Sequence, residues 1–256
     1  MPPHSMPMQR SPPRPAKLSP ARQSTGSSVA PAAAALVDAL AASLWARAMP
    51  APERARLAAE IVERQVPAGG YVVRRGAPVD AWIGVVDGLV KLATETRGGK
   101  TISFAGMPTG AWFGEGSVLK DPVWRYDAIA LRPSRIALMP RATFLRLLDT
   151  DIAFNRFLLE QLNERLGQFI GQVEHDRLLP PQARVARCLA ALANPRLFPV
   201  VGASFAISQE EIGYLCGLAR QTVNRALKRL EDARLLRVEY GRVHILDLDG
   251  LRRFEG

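Results

Sequence analysis

The rhythm of apolar and polar positions changes three times along the chain, and each change marks a different kind of structure. Leu36, Val37, Leu40, Leu44 and Trp45 recur at helical spacing, and the stretch from Arg54 to Val62 reads as a second amphipathic helix. From Gln65 to about Pro140 the pattern breaks into short apolar runs, such as Gly70–Val73, Ala81–Val86, Gly88–Thr94, Thr101–Phe104 and Arg135–Met139. Gly and Pro punctuate these runs at near-regular intervals, which predicts a compact all-β barrel or jelly roll.

Helical periodicity returns after Pro140. Thr143–Leu148 predicts a short helix, and a long one follows from about Ile152 to Leu179. In the long helix Leu158, Leu162, Leu166, Phe169 and Val173 recur at spacings of four, four, three and four. Pairing with the same helix of a second subunit would bury that stripe as a short parallel coiled coil. Packing against the chain's own barrel is the alternative. Gly167 and Gly171 each cost roughly 1 kcal/mol relative to Ala inside a helix, and would permit close helix approach or a bend. Pro180-Pro181 ends the helix and marks a domain boundary.

Beyond that boundary, Ile207–Glu231 carries the most specific pattern in the chain. Ser208 followed by Glu211 is a capping box, so a helix should start there and bury Ile212 and Leu215. Gly217 supplies a tight turn. Val223, Ala226, Leu227 and Leu230 then form the buried stripe of a second helix. Its opposite face carries Arg220, Gln221, Thr222, Asn224, Arg225, Lys228 and Arg229. This is a helix-turn-helix with a recognition helix suited to the major groove of double-stranded DNA. Arg can pair there with guanine O6 and N7, and Gln with adenine, while the later cations suit phosphates. Leu235–Leu246 alternates around Tyr240-Gly241 as a β-hairpin, which completes a winged helix. Arg237 and Arg242 would lie near the sugar-phosphate backbone.

Composition adds limits. The 256 residues suffice for about two ordinary domains, with a basic, Pro/Ser-rich tail over residues 1–31 that reads as disordered. Formal net charge is +10, which suits a polyanionic partner. No apolar run approaches the roughly 20 residues of a membrane span, and no secretion signal is present, so the cytoplasm is the expected compartment. The two cysteines, Cys188 and Cys216, read as small buried hydrophobes and exclude a four-cysteine iron–sulfur site within one chain. The barrel segment has no paired His ligands, nucleophile motif or phosphate loop, so an enzyme is not expected.

The order of barrel, long helix and winged helix-turn-helix resembles the Crp–Fnr family of bacterial transcription regulators. The resemblance runs from about Leu36 to Phe254. It rests on Ile207–Glu231, on the phrases Val66-Pro-Ala-Gly and Val86-Asp-Gly-Leu-Val-Lys, and on Phe113-Gly-Glu-Gly. It implies an α+β chain of two domains. A cyclic-nucleotide-binding-like sensor would span residues 32–150, a dimerisation helix 151–179, and a winged helix-turn-helix domain 180–256. It further implies a homodimer on pseudo-palindromic promoter sites, with RNA polymerase as a further partner.

On the recognition helix, the resemblance puts Arg220, Gln221 and Arg225 at base-reading positions. Ala219 stands where the family often has Ser, and Gln221 where it commonly has Glu. The effector pocket would comprise Gly114, Glu115, Gly116, Ser117, Arg125 and Tyr126. Family members that bind cyclic nucleotides use a Gly-Glu pair at the ribose and Arg followed by Ser or Thr at the phosphate. Gly114-Glu115 matches the first, but in Arg125-Tyr126-Asp127 no Ser or Thr follows the Arg. A cyclic nucleotide is therefore disfavoured and the effector unassigned, with haem still open through His175 or His244. An effector-independent regulator with a degenerate barrel is one alternative. A sensor acting only through protein contacts is another.

Overall fold

The computed structural model describes residues 29–95, 101–120 and 122–256, with side chains described from Leu36 onward. The basic tail lies almost wholly outside them. Helix α1 spans Val29–Ala42 and α2 spans Ala51–Glu60. The second helix stops earlier than its periodicity predicts. Ile61 is extended, and Val62 opens strand β1, Val62–Val66, where it pairs with Leu138. Sheet pairing overrides helical spacing at that β-branched pair.

The strands that follow are β2 (Tyr71–Val73), β3 (Ala81–Asp87), β4 (Leu89–Glu95), β5 (Thr101–Pro108), β6 (Trp112–Phe113), β7 (Asp127–Ala130) and β8 (Ser134–Pro140). They form two antiparallel four-stranded sheets, in the orders β1-β8-β3-β6 and β2-β7-β4-β5. Their inner faces share one core. That is the jelly-roll-like barrel expected from the alternating runs.

At one end of this core Trp45, Trp82, Trp112, Phe144 and Phe154 form an aromatic cluster, with Trp82 and Trp112 ring centroids 4.6 Å apart. Gly84 on β3 makes room for it: a Cβ there would stand 2.8 Å from the Trp112 ring. Helix α3 (Glu115–Lys120) packs beside β3, and α4 (Arg141–Thr150) packs beside β3 and β8.

Helix α5 runs from Ile152 to Leu178. Asp151 caps it by accepting from the amides of Ala153 and Phe154. Its first turns bury Phe154, Leu158 and Gln161 against the barrel. This corrects the expected stripe: Leu158 is a barrel-core residue, 3 % exposed, and cannot face a second subunit. The later positions lie open, with Leu162, Leu166, Phe169 and Val173 between 36 % and 57 % exposed. Leu159, 68 % exposed, joins them on the outer side. Five of the exposed apolar residues, Leu159, Leu162, Leu166, Phe169 and Val173, fall at spacings of three, four, three and four, and Ile152, Ile170 and Leu178 of the same helix are exposed as well. A strict three-four alternation is the heptad pattern of a coiled-coil seam.

Pro180 and Pro181 separate α5 from α6, Pro181–Leu192, as expected for residues that open a helix and cannot continue one. The C-terminal domain continues with β9 (Ser204–Ala206), α7 (Gln209–Cys216) and α8 (Arg220–Asp232). The wing follows as β10 (Leu236–Glu239) and β11 (Arg242–Ile245), and α9 (Leu248–Arg253) closes the chain. β9 adds a third strand to the wing by pairing with β11. The domain core joins α6, α7, α8 and α9 through Val185, Leu189, Ile212, Val223, Leu227 and Leu251.

Candidate nucleic-acid interface and effector site

The helix-turn-helix is built as its sequence dictates. Ser208 Oγ accepts from the Glu211 amide at 3.2 Å, and Glu211 Oε2 accepts from the Ser208 amide at 2.6 Å. Gly217 takes the left-handed conformation, φ 63° and ψ 37°, and ends α7. A second glycine matters here and has no flag in the sequence. A Cβ on Gly213 would stand 2.7 Å from Leu218 O, so the turn folds back directly onto α7.

In α8, Val223, Ala226, Leu227 and Leu230 are buried. Arg220, Gln221, Asn224, Arg225, Lys228 and Arg229 are exposed on the other side, with Thr222 half-buried among them. Ala219 offers no side-chain cap, and the first turn of α8 contains no acidic residue. Its open amides and positive helix dipole therefore face outward together with Arg220. Asn224 Oδ1 accepts from Gln209 Nε2 at 3.3 Å, which ties the two helices across the exposed side. On the wing, Arg242 is exposed and reaches Ser204 Oγ at 3.4 Å, while Arg237 pairs with Glu239 at 2.9 Å. Tyr240 stands fully exposed at the hairpin tip. Five of the anticipated cations are thus exposed, Arg220, Arg225, Lys228 and Arg229 on α8 and Arg242 on the wing.

The second domain is held to the barrel by specific contacts. Arg132, between β7 and β8, donates from Nε and Nη2 to the two Glu211 oxygens at 2.8 and 2.7 Å. Glu211 therefore serves both the helix cap and the domain junction. Lys91 Nζ lies 5.0 Å from the Tyr214 ring centroid, and burial lowers the lysine pKa. Gly106 on β5 lets Leu192 and Leu215 approach the strand: a Cβ there would stand 2.8 Å from Leu192 Cδ2. Cys216, buried at the end of α7, shares a hydrogen bond with Cys188 of α6, and that bond and burial push its thiol pKa up. The two thiols are neighbours, which their 28-residue separation gave no reason to expect.

The effector residues are only partly brought together. Glu115 is buried at the start of α3, where Oε1 lies 3.0 Å from Arg165 Nε of α5. Its Oε2 accepts from Trp82 Nε1 at 3.4 Å. Tyr126 shares a hydrogen bond with Ser117, and burial, then the Glu115 charge, raise its pKa. Trp124 packs edge-on to Tyr126, ring centroids 5.6 Å apart, and lies against Gly114. Gly114 has φ +95°, and a Cβ on it would stand 2.5 Å from the Trp124 ring, so glycine is required there on both counts.

Arg125 departs from this group and is exposed. Asp127 accepts from the Arg75 amide at 2.8 Å, so its carboxylate closes a loop rather than facing Glu115. Gly116 lies in α3 with open space beside its Cα. None of the six expected pocket residues lines the large cavity of about 650 Å³ that lies between β5, α5 and α6. Trp124 belongs to the buried barrel core, and Tyr126 packs against that core. The two candidate histidines fall apart: His175 sits on α5, its pKa lowered by burial and by Arg187, and His244 contacts Glu239 at 3.1 Å in the wing. No helix among the described residues is long and apolar enough to cross a membrane.

Comparison with known proteins gives a consistent picture. The description "Cyclic nucleotide-binding domain" matches residues 63–151, and "Crp-like helix-turn-helix domain" matches residues 183–254. The cAMP-activated global transcriptional regulator CRP of Pasteurella multocida is 27 % identical over 173 residues, covering 66 % of this chain and 83 % of that protein. The cyclic AMP receptor protein of Thermus thermophilus is 29 % identical over 198 residues, covering 76 % and 89 %. Among solved structures, FixK2 of Bradyrhizobium japonicum shares the fold with a TM-score of 0.63 at 22 % identity, over 77 % of this chain and 98 % of that one. The barrel, the long helix and the winged helix-turn-helix are thus one recurrent assembly, and the chain belongs to the Crp–Fnr family of DNA-binding transcription regulators.

Proposed function

We propose that the protein acts as a homodimer whose two α8 helices read the halves of a pseudo-palindromic promoter site. The carrying observation is the division of α8 into a fully buried apolar side and an exposed side of three arginines, one lysine and two amides. A helix that was merely structural would have no need of so dense a cationic face. The exposed seam from Leu159 to Val173 supports the dimer, since two such seams bury each other in parallel. Dimeric reading heads would then meet successive major grooves about 34–36 Å apart. The bound dimer either recruits RNA polymerase or blocks it.

Arg225→Ala tests the assignment of α8. Loss of a bidentate guanine contact should weaken binding by about 1–3 kcal/mol and relax the preference at one position of each half-site. Gel shifts against a preferred site and single-base variants of it measure both. An equal loss on every sequence would make Arg225 a phosphate contact. Unchanged binding would place the reading face elsewhere.

The barrel is read here as a sensor that does not take a cyclic nucleotide in the family's manner. Support comes from the phosphate half, where Arg125 is exposed, Tyr126 stands in place of Ser or Thr, and Trp124 fills the space beside Gly114. The same filling favours a second reading, a regulator whose barrel has become structural. The domain junction argues for the sensor, because Glu211 couples α7 directly to Arg132 of the barrel. Anything that shifts the barrel loop then shifts the start of the helix-turn-helix.

A further inference from the structure

The cavity between β5, α5, α6 and the end of α7 is not accounted for by DNA binding or by the seam. It is open to solvent on one side and has a volume of about 650 Å³, within the range of about 300–1,000 Å³ typical of small-molecule sites. Its apolar lining comes from both domains: Phe104 and Met107 on β5, Leu192 on α6 and Leu215 on α7. Its polar lining is unbalanced. Arg165, Arg184, Arg187, Arg196 and Arg252 face it, against Glu164 and Asp176.

Four of those cations have a carboxylate: Arg165 with Glu115, Arg184 with Asp176, Arg196 with Glu164 and Arg252 with Asp249. Arg187 differs. Its hydrogen bond goes to Leu251 O at 2.6 Å, and among the described residues it makes no ion pair. Glu174 and Glu255 act on it only at longer range, and burial lowers its pKa, so the cation is short of anionic compensation.

We infer that this interdomain cavity binds a small organic anion with an apolar body, its anionic group on Arg187. The ligand would touch the barrel, the long helix and the DNA-binding domain at once. Its affinity therefore depends on how the two domains are arranged, which makes it an effector. The inference rests on the effector-controlled reading above, and it differs from a nucleotide in the barrel both in place and in chemistry.

Calorimetry of the full-length protein with decanoate, and with decan-1-ol as the uncharged counterpart, tests it. Decanoate should saturate one site per chain and bind at least about tenfold more tightly than the alcohol, as a charged hydrogen bond implies. Arg187→Gln should remove that difference while leaving the alcohol unaffected. Gly167→Leu provides a second variant. Gly167 lines the cavity, a Cβ there meets nothing within 4 Å, and Leu is the better helix former, so the change fills space without disturbing α5. It should block both ligands. Absence of decanoate binding, or binding that neither substitution weakens, overturns the inference. Gel shifts on the same samples separate the two ideas: DNA binding without decanoate binding removes this inference and leaves the regulator intact.

Discussion

Replacing Leu166 and Phe169 together by Glu should convert a dimer into a monomer and remove high-affinity DNA binding with it. Both residues are 57 % exposed in the single chain, so neither holds the monomer's own core and the fold should survive. In a parallel pair each would be buried against its counterpart. Burying one such side chain contributes about 1.5–3 kcal/mol, and four are lost across the two-fold axis. The acidic replacements then face each other in an apolar seam. Self-association should weaken by at least about a thousandfold, read by sedimentation velocity over a concentration series. A substituted protein that still sediments as a dimer would place the interface on another surface. Leu158→Glu is the contrasting case: with that side chain in the barrel core, it should unfold the sensor domain rather than separate subunits.

The second large effect concerns the barrel. Trp82 has no exposed surface, contacts Trp45, Trp112, Phe144 and Phe154, and donates to Glu115. Trp82→Ala leaves a cavity where four rings converge and takes a hydrogen bond from a buried carboxylate. The cost should be about 3–5 kcal/mol, a large share of the stability of an ordinary domain. Urea unfolding followed by circular dichroism should show the barrel transition at much lower denaturant. The helix-turn-helix core, built from Val185, Leu189, Ile212 and Val223, lies in a separate cluster and should hold its own transition. A single unshifted transition would mean that the aromatic cluster is peripheral to stability.

Local chemistry made the reading head legible in the sequence. The capping box at Ser208 and Glu211, the left-handed Gly217 and the apolar stripe of α8 all involve residues within a few positions of each other. Contacts across the fold were harder to foresee. The capping role of Glu211 could be read, but its bidentate partner Arg132 is 79 positions away on the barrel. Glu115 was a candidate ligand residue, and its partner Arg165 comes from the next helix but one.

Short elements were missed for a related reason. Helices α3 and α9 have six residues each, and β9 has three, too few for a periodicity to emerge. The choice between Leu158 and Leu159 depended on which side of α5 the barrel covers. Leucines at both positions carry the same periodic signal, and only packing separates them. The interdomain cavity has no local signature at all, since four elements from two domains meet there.

Selection of bound duplexes from a random DNA pool by the full-length protein tests the central claim most directly. The expected result is an enriched site with two inverted half-sites, their centres about one helical turn apart. The half-sites should change sequence preference when Gln221 is replaced by Glu, because an amide suits adenine and a carboxylate suits cytosine N4. A pool that remains random after repeated rounds, or one enriched in a single asymmetric element, would contradict a dimer of α8 reading heads.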